Sequence, residues 1–171
     1  MHDLTSRQAP GAAKIKPDSE PETLKEELTN IIEECRMVLP GMQALFGFQT
    51  IAVFNQRFQE LPAIGAAAHL LSLVLVAVAI AFNMAPAAYH RIAEPGRVSR
   101  RMIKRSSACI CAAMLTLMLG FALEMFVVFD LATGKQTLSL AIALLVFVVI
   151  AIAWFAFPLF VRHHQPRQRF H

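Results

Sequence analysis

Charged residues are scarce in this chain: Asp, Glu, Lys and Arg make up 16% of its 171 residues, while 56% are hydrophobic. Soluble domains usually contain about 25% charged residues, so this composition excludes an ordinary soluble domain. Cysteine is also scarce, and three cysteines with a single C-x-C pair do not have the spacing of a zinc site. We therefore interpret Cys35, Cys109 and Cys111 as small residues that pack between helices.

The sequence motifs of common enzymes are missing as well. There is no glycine-rich phosphate loop, no nucleophile motif and no group of closely spaced metal ligands. Histidine is absent from 107–129 and 137–161, so two histidines on these segments cannot hold a haem. We expect a protein that is not an enzyme and that binds no cofactor and no metal.

The sequence contains four long apolar segments. Each is long enough to cross the hydrocarbon core of a bilayer, which requires about 20 helical residues. They predict an all-α fold, an integral membrane four-helix bundle. The four predicted spans are 37–58, 63–89, 107–129 and 137–161.

The chain divides into one membrane domain and two polar ends. Residues 1–18 are rich in Pro, Gly, Ala, Lys and Ser, which predicts a disordered tail. From near Ser19 an amphipathic helix is expected to lie on the membrane surface and to lead into the first span. The membrane domain is predicted to cover 19–162, and residues 163–171 form a basic tail.

The basic residues predict the orientation. Of the 16 Lys and Arg residues, all but Arg57 and Lys135 lie before the first span, between the second and third spans, or after the fourth. By the positive-inside rule, both termini are therefore expected in the cytoplasm. Basic residues that border membrane spans are attracted to anionic headgroups. We therefore expect membrane lipid as a partner and no nucleic acid.

Polar residues recur at helical spacing within the first three spans. Residues three or four apart share a helix face, and polar side chains in lipid tend to face other helices. We therefore predict a polar seam between these three spans. The first span also contains Gln49, which is six residues from Gln43 and lies on another face, so one amide joins the seam and the other marks a contact with a second subunit. The predicted seam residues are Gln43, Thr50, Ser72, Asn83 and Thr116.

His69 and Glu124 are the candidate residues for handling protons or ions. Each lies about six residues inside the outer end of its span, so at 1.5 Å per residue both are roughly 9 Å deep. Arg57 at the end of the first span could cap them. Ionisable side chains within a membrane are costly and are candidates for function. The alternatives are a hydrogen bond that only joins two helices, or a contact with lipid headgroups.

A second group of charged residues lies at the cytoplasmic ends of the first two spans. One interpretation is anchoring at the interface together with a Glu–Arg ion pair. The other is an inner gate for protons or ions on the same seam. The residues are Glu33, Glu34, Arg36, His90 and Arg91.

Three sequence motifs resemble a bacterial family of small four-span membrane proteins whose domain has no known function. The motifs are ECRMVLPGMQALFGF from Glu34, QRF from Gln56 and APAAYHR from Ala85, and the resemblance covers roughly 24–131. Members are sometimes labelled sodium:proton antiporters. The resemblance thus implies the bacterial inner membrane and an ion-coupling hypothesis, which concerns Glu34, Arg36, Gln43, Arg57, His90 and Arg91.

Two functions remain open from the sequence. The first is proton- or cation-coupled transport along the polar seam, which in so small a protein would need a homo-oligomer, most simply a dimer, to enclose a pathway. The second is a non-enzymatic scaffold or accessory subunit that binds a membrane partner protein or anionic lipid. Flux through the purified protein supports the first, and a co-purifying partner supports the second.

Overall fold

The described part of the chain is helical throughout. The computed structural model describes residues 23–164, apart from the side chain of Arg57, and has no strand in that range. The predicted tail 1–18, the predicted helix start at Ser19 and most of the tail 163–171 lie outside it. The helices are α1 (Leu24–Ala52), α2 (Gln56–Gln59), α3 (Ala63–Ala93), α4 (Arg100–Thr133), α5 (Gln136–Ala151) and α6 (Phe157–His164), with a π-helical turn, Ile152–Ala156, that joins α5 to α6.

Four long helices form the molecule, which confirms the all-α fold. Within 23–164, three of them are long and apolar enough to cross a membrane: Ala63–Ala93, Arg100–Thr133 and the continuous helix Gln136–His164. The chain is therefore a membrane protein with three candidate spans. The helix α1 is not among the three, and its apolar half is interrupted by the amides of Gln43 and Gln49.

The predicted first span, 37–58, is wrong in its outer boundary. The helix α1 ends at Ala52, a turn follows, and the short helix α2 covers Gln56–Gln59. The turn is stabilised by local hydrogen bonds, in which the Phe54 N–H donates to the Ile51 carbonyl and the Asn55 N–H to the Ala52 carbonyl. The chain thus leaves the helix before the polar run that begins at Asn55.

The helices α3 and α4 form the most extensive contact in the bundle. They are antiparallel, because His69 contacts Glu124 at one end while Tyr89 contacts Arg105 at the other. The helix α1 packs on both of them, and α5 packs on α4. Few residues of α5 are buried, and its large aliphatic side chains face outward, as expected for a helix in contact with lipid.

The amphipathic start of α1 is continuous with its apolar half. Leu28 and Ile31 pack against Met102 and Ile103 of α4, so the apolar stripe of this segment is buried in the bundle. The position of this segment at the membrane surface stays a prediction. The stripe has partners because α4 begins at Arg100, well before the predicted third span at 107.

A capping box defines the first turn of α1. The Glu26 N–H donates to the Thr23 hydroxyl oxygen at 3.3 Å, and the Thr23 N–H donates to the Glu26 carboxylate at 2.9 Å. The Thr23 N–H and, secondly, the Thr23 hydroxyl, which donates to the same carboxylate at 2.8 Å, hold the pKa of Glu26 below its ordinary value. The contribution of this carboxylate is therefore complete above the ordinary pKa of glutamate and is lost as the pH falls through the lowered value.

Replacing Thr23 with alanine is expected to destabilise the protein by about 1 kcal/mol, the usual effect of removing an N-cap hydroxyl. Thermal unfolding in detergent micelles measures the change. The matched control is Thr29→Ala, because the Thr29 hydroxyl bonds only to the Lys25 carbonyl of its own helix. Equal effects of the two substitutions would contradict the capping role.

Candidate functional site

A network of polar side chains joins α1, α3 and α4. His69 Nδ1 lies 3.1 Å from Glu124 Oε2, and His69 Nε2 lies 3.0 Å from the carbonyl oxygen of Gln49. Gln49 Nε2 donates to Ser72 Oγ at 2.7 Å and to Glu124 Oε2 at 3.1 Å. Ser72 Oγ donates to the Gly120 carbonyl at 2.8 Å. We call these five residues the outer network.

The helical repeat explains why the outer network is buried. The seven buried residues of α3 are spaced alternately four and three apart, so they form one face. His69 and Ser72 lie on this face and are 1% and 0% exposed. On α4, Gly120 lets the helices approach closely, since a Cβ there would lie 3.3 Å from the Ser72 carbonyl oxygen. The close approach brings the Ser72 hydroxyl within reach of the Gly120 carbonyl. The seven α3 residues are Gly65, His69, Ser72, Val76, Ala79, Asn83 and Pro86.

His69 caps the end of α1. The last four carbonyls of a helix have no partner within the helix, and Gln49 supplies one of them because α1 ends at Ala52. The Val53 N–H is directed to the Ile51 carbonyl. The Gln49 carbonyl can only accept, so His69 must carry a proton on Nε2 to bond with it. The hydrogen bond thereby assigns a proton to Nε2 of His69.

The direction of the other hydrogen bonds follows from a second carbonyl. The Gly120 carbonyl can only accept, so the single hydrogen of Ser72 is directed to it. Ser72 Oγ must then accept from Gln49, which fixes the Gln49 amide with its NH₂ group toward Ser72 and Glu124. The buried Gln49 Oε1 atom has no hydrogen-bond partner.

These assignments leave one proton between His69 Nδ1 and Glu124 Oε2. It resides either on His69, giving an imidazolium and a carboxylate, or on Glu124, giving two neutral groups. The pair has no net charge in either form, which lowers the cost of keeping it inside the bundle. If this proton were removed, two lone pairs would face each other across 3.1 Å. His69 could relieve this only by moving its remaining proton to Nδ1, and the Gln49 carbonyl would lose its donor.

The pair is closed on one side and partly open on another. The ring of Phe58 packs edge-on against His69, with ring centroids 5.3 Å apart. The Glu124 side chain is 12% exposed. At the same end of the bundle, a cavity of about 440 Å³ is lined by the carboxyl residues Glu60 and Asp130 together with Gly65, one turn before His69. Two carboxyl groups thus lie at the end of the bundle that contains the pair.

The seam residues predicted from the sequence do not form one continuous row. Ser72 belongs to the outer network, and Asn83 donates to the Cys35 carbonyl of α1 at 2.9 Å. The hydroxyls of Thr50 and Thr116 donate to carbonyls of their own helices. Gln43 is exposed, so its place in the predicted seam is wrong, and Gln49 is the amide that the bundle buries.

An apolar cluster divides the two polar contacts. Met42, Val76, Ala79 and Leu117 are buried together between the level of Ser72 and the level of Asn83. The eleven residues from Ser72 to Asn83 correspond to roughly 16 Å along α3. In this conformation the seam is therefore closed by hydrocarbon side chains.

The charged residues predicted to form an inner gate are not joined by ion pairs. Glu33, Glu34, Arg36 and Arg91 are exposed. Within residues 23–164, the contact between His69 and Glu124 is the one salt bridge, so the predicted Glu–Arg pair is absent. The cause is the helical repeat, since Glu33, Glu34 and Arg36 lie outside the face of α1 that packs, and Arg91 lies near the exposed end of α3. His90 is half-buried, and its Nδ1 atom is buried without a hydrogen-bond partner.

Arg105 and Tyr89 are in contact at the end of the bundle that contains His90 and Arg91. Arg105 donates to the hydroxyl of Tyr89 at 2.9 Å, and its guanidinium lies 5.5 Å from the centre of the Tyr89 ring. This contact ties the end of α3 to the start of α4. The side chain of Arg57, proposed to cap the outer pair, is outside the described structure, so its role stays a prediction.

Gln49 is the member of the outer network that the sequence reasoning did not assign. A signal was available, because the buried residues Leu28, Cys35, Met42 and Gln49 are spaced by seven along α1. A spacing of seven keeps residues on one helix face. Within 23–164, no three His, Cys, Asp or Glu side chains are grouped as metal ligands.

A comparison with protein families gives one result. Residues 17–158 match a family described as a family of unknown function, DUF6328. No curated protein and no solved structure matches the chain. The family description assigns no activity, so a functional hypothesis has to come from the geometry of the outer network.

Proposed function

We propose that this chain, which belongs to the DUF6328 family of unknown function, is a small inner-membrane protein that transports protons. The proton moves, alone or coupled to another cation, along a path enclosed by α1, α3 and α4. The observation that carries this proposal is the His69–Glu124 pair, whose facing atoms lie 3.1 Å apart and whose side chains are 2% and 12% exposed. We infer that this pair shares one proton that can be transferred. A membrane interior makes an unneeded ionisable pair costly, so such pairs are commonly functional.

The network also links the proton to a movable part of the chain. Loss of the shared proton favours the form of His69 with hydrogen on Nδ1, and that form cannot cap the Gln49 carbonyl. The end of α1 and the following turn would then be released. Proton binding and the position of α1 are thereby coupled, as a transport cycle that alternates between two conformations requires.

The cycle must also open the apolar cluster. Met42, on α1, is one of its four buried members, and the other three lie on α3 and α4. Movement of α1 away from α3 would therefore open the cluster and extend the seam toward Asn83. The acidic cavity at Glu60 and Asp130 would supply cations from the other end. With α1 counted as a fourth spanning helix beside the three candidate spans, both termini lie in the cytoplasm. The working assembly in this proposal is a homodimer.

The second candidate function is a scaffold or accessory subunit. It is favoured by the three interhelical bonds that end on backbone carbonyls, those of Gln49, Gly120 and Cys35. Bonds of this kind hold helices together without needing a transported ion. In this alternative, the pair only fixes the packing, and the partner is another membrane protein or anionic lipid.

Flux through purified protein separates the two candidates. Liposomes that contain a trapped pH dye are subjected in turn to gradients of H⁺, Na⁺ and K⁺. We expect wild-type flux above that of empty liposomes, and in Glu124→Gln a loss of at least tenfold, because the amide keeps the shape but cannot exchange the proton. The control is Thr29→Ala, since Thr29 is exposed and its hydroxyl bonds only to the Lys25 carbonyl of its own helix. Unchanged flux in Glu124→Gln, or none in wild type, would reject the proposal.

A further inference from the structure

A cavity lies between α1, α3, α4 and the π-helical turn, away from the outer network. Its volume is about 290 Å³, near the lower end of the roughly 300–1,000 Å³ of small-molecule pockets. Most of its lining is hydrocarbon. The residues that decide its chemistry are Glu34, Met42, Asn83, Met114, Leu117 and Trp154.

The π-helical turn places Trp154 at this cavity. Such turns insert a residue into a helix and change the direction of the side chains that follow, often at functional sites. Trp154 is half-buried and packs against the cluster that contains Met42 and Leu117. One wall of the cavity is therefore aromatic, while α1 and α4 supply aliphatic and thioether groups.

Charge identifies the kind of molecule that fits. Glu34 is the one charged residue that lines the cavity. It is exposed, so it lies at the opening. The nearest basic residue on α1, Arg36, lines a different groove together with Leu39 and Met84. Because the one charged group of the lining is a carboxylate, the cavity favours a cation over an anion as its ligand.

We propose that this cavity binds a small lipophilic cation, such as an aromatic quaternary or tertiary ammonium compound. Apolar walls with a tryptophan and a carboxylate are the combination that recognises such ions, since the indole face attracts the cation and the acid neutralises it. The amide of Asn83, which bonds to the Cys35 carbonyl, closes the side toward α3. The proposal concerns binding and does not depend on ion flux through the His69–Glu124 pair.

Fluorescence of the full chain tests the proposal directly, because Trp154 is the one tryptophan in the sequence. The protein in neutral maltoside micelles is titrated with benzyltrimethylammonium and, separately, with neopentylbenzene, which has the same shape and no charge. We expect a saturable change with the cation and about fivefold weaker binding in Glu34→Gln, the effect of losing one exposed ionic contact.

Glu33→Gln is the matched control, because Glu33 is an exposed neighbour that does not line the cavity. It should bind the cation as the wild type does. The substitution at Glu34 is at the surface, and equal thermal unfolding of the variants verifies that each is folded. Equal responses to the cation and to the hydrocarbon in wild type and Glu34→Gln would identify an acyl-chain groove and overturn the proposal. Absence of a saturable response to the cation would overturn it as well.

Discussion

His69→Ala is expected to lower the free energy of unfolding by roughly 3–5 kcal/mol, the loss seen when one partner of a buried ion pair is removed. The substitution leaves Glu124 without its histidine contact and the Gln49 carbonyl without its donor. It also leaves space at a side chain that is 1% exposed. Unfolding in mixed detergent micelles at increasing dodecyl sulfate measures the change.

A double variant distinguishes the pair from ordinary packing. In His69→Leu with Glu124→Leu, both ionisable groups are replaced by apolar side chains, and most of the lost stability should return, because an unpaired buried charge no longer exists. Thr116→Val is the control, since the Thr116 hydroxyl bonds only within α4. A double variant as unstable as His69→Ala would contradict the energetic role assigned to the pair.

Gly120→Leu is expected to have a similarly large effect, a loss of about 3 kcal/mol or more, because overpacking a tight helix contact forces the backbones apart. A Cβ at this position would meet Val76 Cγ2 at 3.2 Å and the Ser72 carbonyl oxygen at 3.3 Å. The Val76 side chain can move aside, but the Ser72 carbonyl cannot, because it belongs to the backbone of α3. Separating α3 from α4 would also break the bond from Ser72 to the Gly120 carbonyl.

Gly47→Ala is the matched control for this prediction. A Cβ at Gly47 has nothing within 4 Å, so alanine fits without contact. Alanine in a helix interior is more favourable than glycine by about 1 kcal/mol, and a gain of this size is expected. The same micelle unfolding assay measures both variants. A Gly120→Leu protein as stable as the wild type would show that α3 and α4 do not pack as described.

The sequence predicted the face of α3 correctly, because its predicted polar positions His69, Ser72 and Asn83 are all buried. One strong polar stripe on an otherwise aliphatic helix leaves a single choice of face. Glu124 could be matched with His69 by depth alone, because the two helices are antiparallel neighbours joined by a short loop. Their contact at 3.1 Å depends on the close approach at Gly120.

The sequence did not predict the face of α1, because this helix offers two stripes. One passes through Arg36 and Gln43, and the other passes through Cys35 and Gln49. Both contain a polar amide, so polarity does not choose between them. The choice is made by tertiary contacts, since only Gln49 reaches Ser72 and Glu124.

The residue at which α1 ends could not be predicted from the sequence either. The predicted span extends to Phe58, but the helix stops at Ala52 and the next turn forms by local bonds. What stabilises that end is the His69 side chain of another helix, a contact that local sequence cannot show. The inner charges were predicted to cooperate because they lie close in sequence and depth. They face outward instead, where solvent and headgroups weaken ion pairs.

Proton or cation flux through the double variant His69→Leu with Glu124→Leu tests the central claim most directly. This variant removes the transferable proton while restoring most of the stability, so folding and function are separated. We predict a folded protein whose flux in dye-loaded liposomes does not exceed that of empty liposomes, beside a wild type that conducts. A folded double variant with wild-type flux would contradict the account and leave the pair as a contact between helices.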